Sequence, residues 1–127
     1  MNIDNTKAQL RKGALELVVL SVIAQRGEAY PTDILRELKA AELLVVEGTL
    51  YPLLSRLKVG GLLDYSWRES TTGPPRKYYR LTAAGEGFRR ELYGSWQALV
   101  SAVDATTADL PAARSSITTT TEILSEA

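Results

Sequence analysis

The sequence predicts a mainly α-helical fold with a β-hairpin wing, namely a winged helix-turn-helix followed by a long C-terminal dimerisation helix. Between residues 47 and 59, four leucines recur at helical spacing while hydroxyl, phenol and basic groups occupy the other faces. Gly60 and Gly61 then end this helix, and an alternating apolar segment typical of a β-strand follows at once. A polar-faced helix that leads directly into a hairpin is the layout of this fold class.

The composition excludes several classes of function. The 127 residues suffice for one core without disulfides, and they include no cysteine and no histidine. The usual structural zinc sites, thiol nucleophiles and the commonest general base are therefore missing. Since the sequence also lacks an acid-base pair and a glycine-rich phosphate loop, we expect no enzyme, no cofactor and no metal. Without a signal pattern or an apolar run near ~18 residues, we expect a cytoplasmic protein with no membrane association.

The net charge of zero hides an uneven distribution. Residues 1–99 hold 14 Lys or Arg against 11 Asp or Glu, whereas residues 100–127 hold 1 against 4. The basic surplus of the first part is small enough for an ordinary solvated surface. The number of basic residues therefore does not decide whether the partner is a nucleic acid, and their positions have to be considered instead.

Two helices are predicted before the central one, at residues 7–26 and 32–41. Apolar residues surround the first, so it has to be covered on two sides, by the domain's own core and by more of the chain or another subunit. The second begins after Pro31, whose fixed φ suits a first helical turn. Residues 42–46 either extend this second helix or form a short extended piece.

A basic hairpin is predicted after the central helix. Residues 62–67 alternate as a strand, and residues 68–75 form a turn in which a glycine and two prolines rule out regular structure. A second strand follows at residues 76–81, with Arg76, Tyr78 and Arg80 on one face and Lys77, Tyr79 and Leu81 on the other. A basic wing beside a polar helix is suited to straddle a phosphate backbone.

The last predicted helix begins after an N-cap at Thr82, with Glu86 in its first turns, and runs to about Ala108. It carries one apolar stripe that the winged unit does not need for its own core. We therefore expect a two-fold dimer in which this helix packs on the first helix of a second copy. The expected interface residues are Leu15, Val18, Val22, Phe88, Leu92, Trp96, Leu99 and Val103.

Several motifs lie within residues 7–105, namely the run EGTLYPLL at residues 47–54 and the run RKYYRLT at residues 76–82, together with Lys12, Gly13, Leu15, Glu16, Leu17, Val19, Leu20, Arg56, Leu57, Gly61, Leu62 and Gly85. In these motifs the chain resembles the PadR-like family of bacterial transcriptional regulators. The short C-terminal part resembles the compact branch that includes multidrug-sensing repressors. The resemblance implies a homodimeric repressor on a near-palindromic operator, with a DNA-binding domain at 1–81, a dimerisation helix at 82–110 and a polar, Thr-rich tail at 111–127. That tail either forms a loosely packed turn or two or is disordered.

The resemblance makes residues 47–59 the recognition helix and residues 68–80 the wing. The expected contacts to double-stranded DNA are Tyr30, Thr49, Tyr51, Ser55, Arg56, Lys58, Arg76 and Lys77. Alternatives remain open, because Tyr51 can instead pack the helix start, and Arg56 and Lys58 can be solvated charges. Tyr78 and Tyr79 are expected to pack the hairpin. After Tyr30 the chain continues with Pro31 and Thr32, where the family usually has a glycine-containing segment.

Trp96 has two interpretations. In the drug-sensing relatives, a matching tryptophan pair stacks on flat aromatic compounds at the dimer centre, and the lining would here include Leu17, Ser21, Leu99 and Val100. The other interpretation is that Trp96 fills the dimer interface. A different class of function also stays open: a winged-helix protein-interaction module without specific DNA binding, which the zero net charge favours and the basic wing disfavours.

Overall fold

The computed structural model describes residues 1–43 and 45–112, and it confirms a mainly helical fold with one antiparallel hairpin. The elements are α1 (Ile3–Arg26), α2 (Pro31–Ala40), α3 (Glu47–Val59), β1 (Leu63–Ser70), β2 (Gly73–Leu81) and α4 (Ala83–Thr106). The chain divides into two compact units, Met1–Trp96 and Gln97–Ala127. Within the described part, no helix is long and apolar enough to cross a membrane. Most of the predicted tail, residues 113–127, lies outside the described residues.

The helix boundaries follow from local caps. Helix α1 begins four residues earlier than predicted, because the Asn2 side chain accepts a hydrogen bond of 2.9 Å from the Asp4 amide. It ends at Gly27, whose φ of +80° suits a residue without Cβ. Helix α2 ends at Ala40 and is followed by a turn, with Glu42 at a φ of 62°, so the connection does not extend this helix. Helix α3 has the predicted bounds.

The hairpin is longer than predicted, and the prediction that residues 68–75 lack regular structure is wrong. Strand β1 continues to Ser70 and β2 begins at Gly73, so Pro74 and Pro75 lie within a strand. Proline lacks only the backbone donor, and a two-stranded sheet tolerates it near the start of an edge strand. The register is Arg68 opposite Arg76, with an irregularity before Ser70 pairs with Gly73.

The core lies between the first three helices and the base of the hairpin. The four leucines of α3 are buried, which confirms the apolar face predicted for this helix. They pack with residues of the neighbouring elements: Leu15, Val19, Leu20, Ile23, Ala29, Ile34, Leu38, Leu63 and Tyr79. Burying this face fixes which side chains of α3 point outward.

Two sets of hydrogen bonds, one between backbones and one through a side-chain hydroxyl, fix the base of the wing. Ala29, between α1 and α2, forms an antiparallel bridge with Tyr79 of β2 through hydrogen bonds of 2.9 and 2.8 Å. Thr82 holds the other end, since its hydroxyl donates to the Gly61 carbonyl at 2.7 Å and accepts from the Gly85 amide at 3.0 Å. The second of these bonds confirms the predicted N-cap.

Helix α4 begins as predicted and ends at Thr106, two residues before the expected position. Glu86 pairs with Arg89 and Arg90 on the first turns. Gly85 is the only buried residue of this helix, whereas Phe88, Trp96, Leu99, Val100 and Val103 are exposed. Most of the apolar stripe is thus exposed to solvent within the part of the chain that the structure describes.

Candidate nucleic-acid interface

The solvent side of α3 has three rows of residues, set by the buried leucines and the 3.6-residue period. The central row consists of Gly48, Pro52, Ser55 and Val59, all of them exposed. Thr49 and Arg56 occupy the flank nearest α1, and Tyr51 and Lys58 occupy the flank nearest the wing. All five α3 residues predicted to contact DNA therefore belong to the solvent side of the helix.

The flank beside α1 contains an ion pair. The Arg56 guanidinium lies 3.4 Å from the Glu16 carboxylate of α1, and both side chains are substantially solvated. Thr49 lines a groove of about 320 Å³ together with Arg11 and Lys12 of α1. In the free chain, Arg56 is therefore oriented by α1.

The flank beside the wing places phenols and a lysine together. Burial, the Glu47 carboxylate and the Tyr30 phenol raise the pKa of Tyr51, so its hydroxyl stays protonated and able to donate. The Lys58 ammonium lies 5.6 Å from the centre of the Tyr65 ring. Tyr51 is thus partly packed at the helix start and still 44% exposed.

One face of the hairpin holds Lys77 on two aromatic rings. Its ammonium lies 4.5 Å from the centre of the Tyr65 ring and 5.1 Å from that of Trp67. Each such cation-ring contact contributes on the order of 0.5–1 kcal/mol at an exposed site. The ammonium is positioned near the exposed Trp67 side chain rather than moving freely in solvent.

The opposite face of the hairpin stacks two guanidinium groups on two tyrosines. Arg76 lies 4.7 Å from the centre of the Tyr30 ring, and Arg68 lies 4.5 Å from that of Tyr78. The two rings are themselves 5.9 Å apart, so the four side chains form one cluster. Arg68 also pairs with Glu28, whereas Arg76 has no carboxylate partner within the described residues. The bridge between Ala29 and Tyr79 brings Tyr30 to this cluster.

The eight predicted DNA-binding residues thus lie on α3, on β2 or at Tyr30, and stacking connects Tyr30 with Arg76. The sequence interpretation missed Arg68, Trp67 and, apart from Ser55, the exposed central row of α3, where Val59 is 88% exposed. The sequence pattern predicts an irregular turn at Arg68, and only the strand register places this residue opposite Arg76. The 3.6-residue period applied to α3 would have identified Val59.

The residues predicted for ligand binding and dimerisation differ in exposure. Trp96 is 38% exposed on α4, where Leu99 and Val100 are also exposed, whereas Leu17 and Ser21 of α1 are half-buried. Leu15 is buried in the chain's own core, so little of its surface is available to a partner. Val18 and Val22 pack partly against that core, and Leu92 is half-buried.

Similar solved structures share this fold. A PadR-like transcription factor from Bacteroides fragilis has 53% sequence identity and a TM-score of 0.68, with 80% of this chain and 98% of the other covered. A PadR family transcriptional regulator from Eggerthella lenta has 33% sequence identity and a TM-score of 0.76, with 83% of this chain and 91% of the other covered. Bacillus subtilis PadR in complex with operator DNA has 22% sequence identity and a TM-score of 0.57, with 62% of this chain and 46% of the other covered. At this identity, the similarity concerns the fold alone.

A helical domain with a basic hairpin beside an exposed polar helix defines the class of winged-helix regulators. Residues 19–91 match the transcriptional regulator PadR-like family, and the chain belongs to that family. Its members are transcription regulators and not enzymes.

Proposed function

We propose that the chain is a repressor that binds double-stranded operator DNA as a homodimer. The observation that carries this proposal is the set of three cations, Lys58, Arg76 and Lys77, that rest on aromatic rings beside the solvent side of α3. None of the three has a carboxylate partner in the part of the chain that the structure describes. Cations that are positioned but not neutralised are suited to bind phosphates.

In this proposal, α3 enters the major groove and the wing contacts the adjacent backbone or minor groove. The central row of α3 then faces base edges, where Ser55 can donate or accept a hydrogen bond and Val59 can contact a thymine methyl group. Residues 1–81 would form the DNA-binding part. The B. subtilis protein that was solved with operator DNA has the same fold, which supports DNA as the partner.

The dimer is proposed from the open apolar stripe of α4. Phe88, Trp96 and Leu99 are 38%, 38% and 54% exposed, and burying these exposed fractions contributes roughly 1 kcal/mol each, so several such side chains together favour association. The first helix of a second copy is the proposed partner, and residues 82–110 would form the dimerisation part. Two recognition helices related by a two-fold axis fit a near-palindromic operator with half-sites ~34 Å apart.

A ligand response is proposed for the same region. Two Trp96 rings near a two-fold axis could clamp a flat aromatic compound, with Leu17, Ser21, Leu99 and Val100 as lining. Such a ligand would release the operator by changing the spacing of the two recognition helices, provided that it binds the DNA-free arrangement better.

The test is the salt dependence of binding to DNA from the chain's own promoter region. Replacing Arg76 and Lys77 together by glutamine should weaken binding and reduce the salt slope by about 0.9 for each lost phosphate contact. Arg90→Gln on α4 is the control, because its side chain is 79% exposed and its charged partner Glu86 belongs to the same helix. An unchanged slope in the double variant would contradict the proposed wing contacts.

A protein-interaction module is the second candidate, and the exposed Trp67 favours it. This ring is 59% exposed and lines a shallow groove with Pro74 and Pro75. The same titration separates the two functions, since a module of this kind should bind promoter DNA no better than a random-sequence duplex.

A further inference from the structure

Among the residues that the structure describes, Arg56 is the one predicted DNA contact of α3 that already has a charged partner. Its Nη2 lies 3.4 Å from the Glu16 Oε1, a long distance for a charge-assisted hydrogen bond. Neither side chain is locked, because Arg56 is 65% exposed and Glu16 is 41% exposed. Exposed ion pairs of this kind contribute little net free energy, so Arg56 can leave Glu16 at small cost.

The position of Arg56 indicates which part of DNA it meets. It lies on the flank of α3 beside α1, whereas the central row of Ser55 and Val59 points away from the core. A flank residue of a helix in the major groove faces the sugar-phosphate backbone rather than base edges. The guanidinium has five donors, and a phosphate can accept two of them at once.

From this geometry we propose that Glu16 is an intramolecular competitor of DNA phosphate for Arg56. This inference rests on the proposed DNA-binding function. In the free chain the Glu16 carboxylate occupies Arg56, and on binding the guanidinium transfers to a phosphate. Glu16 thus lowers DNA affinity, because its pair with Arg56 has to break before the guanidinium can bind a phosphate.

This assignment gives Glu16 a role in setting affinity. Contacts to phosphate carry no sequence information, so a competitor for Arg56 weakens binding to every duplex by a similar factor. The central row of α3 is unaffected, and discrimination between sequences is preserved. A regulator with this device leaves non-specific DNA more readily.

The test compares four chains on a random-sequence duplex at low salt: wild type, Glu16→Gln, Arg56→Gln and the double variant. Glu16→Gln should bind about two- to fivefold tighter for each recognition helix engaged. Arg56→Gln should bind more weakly, and adding Glu16→Gln to it should give no further gain. The advantage of Glu16→Gln should shrink as salt rises from about 50 to 200 mM, because exposed charges are screened.

Glu37→Gln is the matched control. Glu37 also forms an exposed ion pair between helices, 3.2 Å from Arg26 with 48% of its side chain exposed, but this pair joins α2 to α1 and includes no residue of α3. Glu37→Gln removes one negative charge, as Glu16→Gln does, and should leave DNA affinity within twofold of wild type. Circular dichroism melts of all variants identify any loss of folding.

Three outcomes would overturn the inference. They are an affinity of Glu16→Gln equal to or below that of wild type, a gain that persists without Arg56, and an equal gain in Glu37→Gln. In each case the wild-type protein still binds DNA and the proposed function stands. If wild type binds no duplex even at low salt, the proposed function fails and the inference fails with it.

Discussion

Gly85 and Gly87 lie two residues apart on α4, and the same substitution should have opposite effects at the two positions. A Cβ built at Gly85 would lie 2.0 Å from the Leu62 carbonyl oxygen, whereas one at Gly87 meets nothing within 4 Å. Ordinary contact begins near 3.4 Å, so the Leu62 backbone would have to move by about 1.4 Å. That carbonyl accepts a 3.1 Å hydrogen bond from the Thr82 amide, which such a movement would break.

These contacts set the expected magnitudes. Overpacking against backbone costs about 1–3 kcal/mol, and the lost hydrogen bond adds about 1 kcal/mol, so Gly85→Ala should lower the free energy of unfolding by roughly 2–4 kcal/mol. Gly87→Ala should raise it by about 0.5–1 kcal/mol, because alanine is the better helix former at an exposed position. Because Gly85 contacts the base of the hairpin, Gly85→Ala should also weaken DNA binding.

Urea unfolding followed by circular dichroism measures both free energies, at one protein concentration because self-association shifts apparent stability. The two variants should differ by about 2.5–5 kcal/mol in the free energy of unfolding, with melting temperatures roughly 10 °C or more apart. Stabilities within about 1 kcal/mol of each other would refute the argument, because the Leu62 backbone would then have moved freely.

Two further predictions concern α4. Trp96→Glu should weaken self-association by roughly a hundredfold or more, because the substitution removes two copies of the ring from an apolar interface. Gln97→Glu, which adds the same charge on another face of α4, should leave self-association unchanged. Sedimentation of both variants at the same concentration checks this, and equal association would argue against the proposed dimer. Hydrogen bonds from Arg90 and Arg89 lower the pKa of Glu86 below 4.5, so its stabilising effect is present above about pH 4.5 and lost as pH falls through the lowered value. Wild type should therefore be more stable than Glu86→Gln at neutral pH, and the difference should vanish in acid; a pH-independent difference in urea midpoints would contradict this assignment.

The bounds of α3 could be predicted from the sequence, because four leucines at helical spacing specify a helix with one buried face and the following glycines specify where it ends. The extent of the hairpin could not. The prolines at its tip were interpreted as excluding regular structure, yet proline removes only a donor, and near the start of an edge strand that loss is tolerated. The early start of α1 depends on a single cap at Asn2, a weak signal without its geometry.

The candidate interface was predictable as a list of residue types but not as an arrangement. Basic residues in the second strand were visible in the sequence, whereas the stacking of Arg76 on Tyr30 requires the bridge between Ala29 and Tyr79. Such long-range pairing leaves no local signal. The same holds for the contact between Glu16 and Arg56, which are 40 residues apart.

The two prolines of β2 also bear on how the hairpin behaves towards other chains. Pro74 and Pro75 stand opposite the single residue Glu69, so the irregularity of the hairpin is a bulge made of two residues without a backbone N–H. A bulge and prolines both interrupt the template on which a foreign strand would add, at the exposed tip of the molecule. The wing can therefore remain solvent-exposed without recruiting neighbouring hairpins into a shared sheet, which protects the chain from aggregation through this edge.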